Sequence, residues 1–363
     1  MTEPAPLQQI DRTYVRYQNG KYSYFGGCDY FRLASHPAVL QAVETGLKKF
    51  GLNVAASRLT TGNHELFSKL EKALAEFFEA ENVTLVSNGY VTNLVAAQAL
   101  AGNFSHGFID EKSHPSLTDA AKFLGCPIFK FQHRDASDLK SAVNRCGRSA
   151  KIVLLTDGMF SHDGLIAPLK KYLKILRRDA IILVDDAHGA GTLGANGRGS
   201  IELEKVNRKQ IVQTITLSKA FGVYGGAVLG ARDLREKIFG KSHLFVGSTP
   251  LPLPLANAAL AAVKILKTNK SLRKRLRQNV DYIKSALRKN NFPVAETPSP
   301  IIPLIPKNDL EVKSLKGKCI AEKIFPSFIK YHGGPENGYF RFVISSEHSK
   351  MQLDSLLRVL NEI

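Results

Sequence analysis

Cysteine is scarce in this chain: Cys28, Cys126, Cys146 and Cys319 are the only four among 363 residues. They are scattered, with neither metal-ligand spacing nor the density of a disulfide scaffold, so free thiols in a reducing compartment are expected. Long apolar runs are also missing. No stretch approaches the ~20 residues needed to cross a bilayer, which excludes a transmembrane helix. The opening Met1-Thr2-Glu3-Pro4-Ala5-Pro6 has neither a basic nor an apolar leader character, so no signal peptide and a cytoplasmic location are expected. No internal period suggests a solenoid. Acid is the minority charge, 32 Asp and Glu against 50 Lys and Arg, leaving +18. That excess favours anionic partners such as phosphorylated substrates, coenzyme A thioesters or non-specifically held nucleic acid. No nucleic-acid recognition motif accompanies it, so no specific nucleic-acid partner is expected.

What is present is an ordinary globular composition, 44% hydrophobic and 23% charged, in a chain long enough for one large domain and a smaller one. Residues 1–33 are aromatic-rich and carry a hairpin turn at Gln18-Asn19-Gly20-Lys21, which reads as an N-terminal arm. Residues 34–268 read as the large domain and 269–363 as a small α/β domain. A helix is expected after His36-Pro37, with Val39, Leu40, Val43 and Leu47 on one face, and another from about His64 with Leu66, Leu70, Leu74 and Phe77 as a core stripe. Strand-like and helix-like segments then alternate from Thr84 to Leu217, the pattern of a mostly parallel sheet covered on both faces. Asp110, Asp157, Asp185 and Lys219 fall at or just past strand ends, where such sheets bind ligands. Ser248 to Pro254, with prolines at 250, 252 and 254, reads as a stiff connector.

Three stretches carry chemistry. In Thr214-Ile215-Thr216-Leu217-Ser218-Lys219-Ala220-Phe221-Gly222, an apolar strand runs into a lysine among hydroxyls and glycines. Burial lowers an amine's pKa, and a neutral amine attacks carbonyls, which points to Schiff-base chemistry and above all to pyridoxal phosphate. Thr216 and Ser218 are placed to bond a phosphate; a lysine snorkelling to solvent is the plainer alternative. In Val184-Asp185-Asp186-Ala187-His188-Gly189, the strand-end acid could hold a pyridinium nitrogen protonated and His188 could reach the same ring. A capping Asp and a structural His fit as well. In Ser87-Asn88-Gly89-Tyr90, a strand stops at a glycine turn before a helix, which is a phosphate site when a ligand is there and only a turn when it is not.

From about Cys28-Asp29-Tyr30 to His348 the chain resembles the α-oxoamine synthase family of fold-type I pyridoxal-phosphate enzymes, the 8-amino-7-oxononanoate synthases among them. The resemblance implies a mostly parallel seven-stranded sheet in the large domain and a smaller α/β C-terminal domain. It implies pyridoxal phosphate on Lys219, with Asp185 on the ring nitrogen, His188 and Ser161 near O3′, and His114, from Ser113-His114-Pro115-Ser116, stacked on the ring. Asn88, Gly89, Tyr90 and Thr216 fall on its phosphate site. Ser248 and Thr249 match residues that reach the neighbouring subunit, and Arg341 matches the arginine that grips an amino-acid carboxylate. The implied activity is decarboxylative condensation of an amino acid with an acyl-CoA or acyl-carrier thioester, by a homodimer with shared sites. A class I/II aminotransferase uses the same residues and is the alternative. The sequence departs from the family pattern at Cys28, where Asn is usual, at Asp157 for Glu, at Phe67 for His, and over Tyr331 to Gly338.

Overall fold

A computed structural model describes residues 6–331 and 333–361 of the chain. The reading of Met1 to Ala5 as no leader, and His332 of the loop before Arg341, lie outside those residues. Three short strands, β1 (Gln8–Asp11), β2 (Tyr14–Tyr17) and β3 (Gly20–Ser23), form the expected antiparallel arm. It leans on the far end of the chain: the Ser23 N–H donates to the Lys323 carbonyl and the Phe25 carbonyl accepts from the Val343 N–H.

Seven strands make the central sheet: β4 (Asn82–Val86), β5 (His106–Asp110), β6 (Ile128–Phe131), β7 (Ile152–Asp157), β8 (Ile181–Asp185), β9 (Ile211–Thr216) and β10 (Gly226–Gly230). Their order is β4-β10-β9-β8-β7-β5-β6. Pairs from β9 through β6 are parallel, while β10 runs antiparallel between β9 and β4. The continuous apolar runs of β7 and β8 are explained by burial on both faces. In β7, Ile152 and Leu154 join one core layer with Leu139 and Tyr172, and Val153 and Leu155 join the opposite layer with Leu117 and Leu124. Each such side chain, taken fully out of water, contributes roughly 1.5–3 kcal/mol before entropic costs.

Register brings the polar strand ends to one edge: Asp157 pairs with Asp185, Asp185 with Thr214, and Thr216 with Gly226. The pattern of alternation does not reveal β10, because its Gly-Ala-Val-Leu-Gly run is too small and glycine-rich to read as a strand. The glycine is required: a Cβ on Gly226 would stand 2.2 Å from Thr92 Oγ1 of the overlying helix Gly89–Leu100.

The C-terminal part carries β11 (Ile301–Leu304), β12 (Phe328–Ile329) and β13 (Tyr339–Val343), an antiparallel sheet in the order β11-β13-β12. Two expectations shift. The stiff connector ends at Pro252, because Pro254 sits in the first turn of helix Leu253–Thr268, where a missing N–H costs nothing. On helix Pro37–Phe50, Val39 turns inward, but Leu40 and Leu47 are about half exposed, as is Leu59 farther on, and Leu52 just beyond the helix is 64% exposed.

His348 ties the arm to the C-terminal part. Its Nδ1 accepts from the Ser345 N–H at 3.0 Å, so Nε2 carries the proton donated to the Tyr24 carbonyl, also at 3.0 Å. Burial, then the Arg32 charge, pushes its pKa down to about 3. The folded state therefore favours neutral His348: this contribution is complete above the unfolded pKa near 6.5 and is lost as pH falls toward 3. Urea unfolding should show an extra loss of at most about 2 kcal/mol between pH 7.5 and 5 in the native chain relative to His348→Gln. An equal loss in both would remove His348 as the cause.

Candidate active site

The carboxyl edge of the sheet opens into a cavity of about 260 Å³, walled among others by Asn88, Gly89, Tyr90, His114, Asp185, His188, Thr216 and Lys219. Residues read from three separate stretches thus meet in one place. Lys219 follows β9 at the cavity wall, partly exposed by surface area yet densely enough surrounded that desolvation lowers its pKa, against the opposing pull of Cys28, Asp185 and Asp157. A lysine held this way is a better nucleophile than one in bulk water.

Asp185, at the end of β8, is surrounded by donors. Its Oδ1 accepts from the Ala187 N–H at 3.0 Å, and its Oδ2 accepts from Asn93 Nδ2 at 2.6 Å and Ser116 Oγ at 3.4 Å. Asn93 is itself aimed by Thr214, whose hydroxyl donates to Asn93 Oδ1 at 2.5 Å. The neighbouring Asp157 is pushed well up by burial and then by the charge of Asp185, toward holding a proton. It accepts the His114 N–H at 2.9 Å. Asp186, one residue on, belongs to the scaffold: its Oδ2 accepts from the Ser200 N–H and Gln213 Nε2 beneath the loop that follows β8.

His188 is buried, with Nδ1 2.7 Å from the Tyr30 hydroxyl. Burial and the nearby Lys219 charge hold it well below the ordinary imidazole range, hence neutral. His114 caps helix Pro115–Ala121 through Nδ1, and its Nε2 lies 2.8 Å from the Tyr331 hydroxyl. Tyr90 stands edge-on to its ring and donates to Asp119, a bond that pushes the phenol up to about 12.

The residues fit pyridoxal phosphate. Asn88 Oδ1 accepts from the Val91 N–H, capping helix Gly89–Leu100 and leaving the first-turn N–H groups of Gly89 and Tyr90 for an anion. A Cβ on Gly89 would lie 2.7 Å from Thr216 Oγ1, so only glycine lets this turn close on that hydroxyl. A lysine, a buried carboxylate and a helix N-terminus therefore line one cavity.

Not every expected residue lines it. Ser161 and Arg341 lie to one side, joined by Arg341 Nη1 donating to the Ser161 carbonyl at 3.2 Å; the guanidinium charge still acts on Lys219 and His188. Ser248 and Thr249 are outside it, with Ser248 Oγ donating to the Leu244 carbonyl at the end of a short helix. Sequence reasoning missed Asn93, Ser116, Thr214 and the hydroxyls of Tyr30 and Tyr331. Cys28 stands beside Tyr30 and near Lys219 and Arg341.

A parallel-centred α/β fold with lysine, aspartate and a helix-end anion site at its carboxyl edge defines a fold-type I pyridoxal-phosphate enzyme. Comparison with known proteins agrees. The family described as aminotransferase class I and II matches residues 27–360. The 8-amino-7-oxononanoate synthase of Thioalkalivibrio sulfidiphilus is 33% identical over 336 residues, 92% of this chain and 86% of that protein. That of Thermoanaerobacter pseudethanolicus is 31% identical over 338 residues, with the same coverage. Among solved structures, S. paucimobilis serine palmitoyltransferase with a bound PLP–myriocin aldimine superposes with a TM-score of 0.92 at 25% identity, covering 99% of this chain and 92% of that one. Francisella tularensis 8-amino-7-oxononanoate synthase gives 0.81 at 26%, covering 94% and 97%. The chain belongs to the aminotransferase class I and II family and, within it, to the pyridoxal-phosphate-dependent acyltransferases of the α-oxoamine synthase group.

Removing the Asn93 donor should weaken pyridoxal-phosphate binding through Asp185. Charged hydrogen bonds are worth about 1.5–3 kcal/mol, so Asn93→Ala should lose roughly 10- to 150-fold in cofactor affinity, measured by titrating the apoenzyme and following visible absorbance. Unchanged affinity would show that Asp185 needs no such support.

Proposed function

We propose that this chain is an 8-amino-7-oxononanoate synthase-like enzyme that condenses a small amino acid with an acyl-CoA or acyl-carrier thioester. It would act in the cytoplasm as a homodimer. The observation that carries the reading is the meeting of Lys219, Asp185, His188 and His114 on one cavity, with Arg341 beside it. The names of the relatives support the choice of acyl transfer over amino transfer.

Lys219 would hold pyridoxal phosphate as a Schiff base, with Asp185 on the ring nitrogen and His188 and Ser161 toward O3′. His114 would cover one ring face, and Thr216 with the Gly89 and Tyr90 amides would take the phosphate. When bound, the cofactor supplies an electron sink for negative charge at the amino acid's Cα. Arg341, planar and permanently charged, would fix the substrate carboxylate and so aim Cα at the Lys219 amine. That amine, with its lowered pKa, removes the Cα proton and later returns one. Between those transfers a carbon–carbon bond forms to the acyl carbon, the thiol leaves, and the original carboxylate departs as carbon dioxide. Asn93 and Ser116 would hold Asp185 in place opposite the ring, and neutral His188 would add no positive charge beside Lys219.

The division into an arm (1–33), a large domain (34–268) and a small domain (269–363) is retained as part of this reading. Its support is the separation of the central sheet from the β11–β13 sheet. The dimer is supported by the exposed Leu40, Leu47, Leu52 and Leu59, and by the position of Ser248 and Thr249 outside this chain's own cavity. Cytoplasmic location is in keeping with the absence, among the described residues, of a helix long and apolar enough to span a membrane.

The test supplies glycine, alanine or serine with acyl-CoA donors of graded chain length and follows thiol release and carbon dioxide. Thiol release that needs both substrates, and vanishes in Lys219→Ala, is expected. Amino-group transfer to a keto acid with no thiol released from any donor would replace the synthase reading with an aminotransferase. Sedimentation of the holoenzyme as a monomer at micromolar concentration would remove the dimer.

A further inference from the structure

Away from the residues that line the Lys219 cavity, two imidazoles face one carboxylate oxygen. Asp163 Oδ2 lies 3.2 Å from His133 Nε2 and 3.0 Å from His162 Nε2. The three ligand-type atoms all fall within 4.8 Å of one another, on two loops: the one after β6 and the turn Phe160–Leu165 that follows β7. The proposed mechanism uses none of these side chains.

Ordinary pairing explains only part of the arrangement. Asp163 Oδ1 is already occupied by the Leu165 N–H at 2.8 Å, and His133 Nε2 makes an acceptable hydrogen bond to Oδ2. His162 does not. Its side chain is 6% exposed, and Nε2, though close enough to Oδ2 for charges to interact, misses hydrogen-bond geometry and finds no other partner among the described residues. A buried imidazole nitrogen aimed at a carboxylate without bonding to it requires an account, since such groups are normally satisfied. Gly333 backs the opposite edge of the ring, where an added Cβ would stand 3.2 Å from His162 Nδ1.

We propose that His133, His162 and Asp163 bind one divalent transition-metal ion of the zinc class. With Zn–N and Zn–O lengths near 2.0–2.2 Å, ligand atoms of a tetrahedral site lie roughly 3.3–3.5 Å apart. The two observed edges, 3.0 and 3.2 Å, are close to that and need only a small opening to admit the ion. Two imidazoles and a carboxylate suit zinc, cobalt or nickel rather than magnesium or calcium, the metal displacing the proton that His133 shares with its carboxylates. Three protein ligands leave a fourth position for water, and the partial exposure of His133 and Asp163 provides the entry path. Asp110 supplies the remaining part: its Oδ1 lies 2.9 Å from His133 Nδ1, the carboxylate–histidine pairing that orients metal-ligating imidazoles. Asp110 is in turn fixed by the N–H groups of Lys112 and Arg134. The ion would clamp the turn carrying Ser161 to the loop after β6, beneath the segment that leads to Arg341, and would have no role in bond-making.

The test is equilibrium dialysis of tag-free holoenzyme against Zn²⁺, with metal content per chain measured directly, and a parallel Co²⁺ titration read by its visible ligand-field bands. One ion per chain is expected. His162→Gln, which preserves size and polarity, should lose at least tenfold in affinity, and Asp110→Asn roughly 10- to 100-fold, as for other groups that orient a ligand. Circular dichroism of each variant separates loss of the site from loss of the fold, and the Co²⁺ spectrum of the native chain stands whether or not a variant folds. Less than about a tenth of an equivalent bound at ~100 μM Zn²⁺, far above the dissociation constants of built zinc sites, would overturn the proposal. So would binding that folded His162→Gln leaves unchanged.

Discussion

A carboxylate at a buried strand end is the constraint around which this protein is arranged. Asp185 lies where water is largely excluded, so its oxygens must be satisfied by the fold itself. The Ala187 amide, the Asn93 carboxamide and the Ser116 hydroxyl do so, and each comes from a different element. Asn93 is set in turn by Thr214 of β9, the register partner of Asp185. Displacing the helix over β10, the β9 register or the start of helix Pro115–Ala121 would leave a buried charge short of a donor. Strand order, helix seating and the electrostatics of the cavity are therefore one problem.

The same low-dielectric edge sets the charge states of the other groups. Lys219 and His188 are both driven toward their neutral forms, chiefly by loss of hydration, and Asp157 toward its protonated form by burial beside Asp185. One face of one sheet thus holds an amine able to act as nucleophile and proton carrier, an acid ringed by donors, and an uncharged imidazole. None of these states would survive full hydration. At the rim, the Tyr331 hydroxyl meets His114 Nε2 at 2.8 Å.

Small residues permit the close approaches. Gly226 lets β10 pass under Thr92, and Gly89 lets the helix end touch Thr216. The short antiparallel β10 also separates β9 from β4, so the strand leading to the phosphate-type turn stands two positions from the strand leading to Lys219. That arrangement brings the N-terminus of helix Gly89–Leu100 and the lysine to the same cavity.

Much of this was determined by the sequence alone. Uninterrupted apolar strands ending in Asp157 and Asp185 require burial on both faces and a polar carboxyl edge. A lysine after Thr216 and a glycine turn after Val86 make that edge a candidate cofactor site, with a snorkelling lysine and a plain turn as the alternatives from the residues alone. The motifs shared with the α-oxoamine synthases carry the rest of the family assignment. The tertiary structure decided what depends on register and on residues distant in the chain. Asn93, Ser116, Tyr30 and Tyr331 have no local pattern that marks them, because their partners are tens to hundreds of positions away. β10 was invisible because its small residues answer to a helix above it rather than to any alternation of their own. Leu40 and Leu47 read by spacing as sharing a helix face with Val39, but periodicity reports which residues share a face and not what covers that face. His133, His162 and Asp163 sit on two loops that only the β5–β6 and β5–β7 pairings bring side by side.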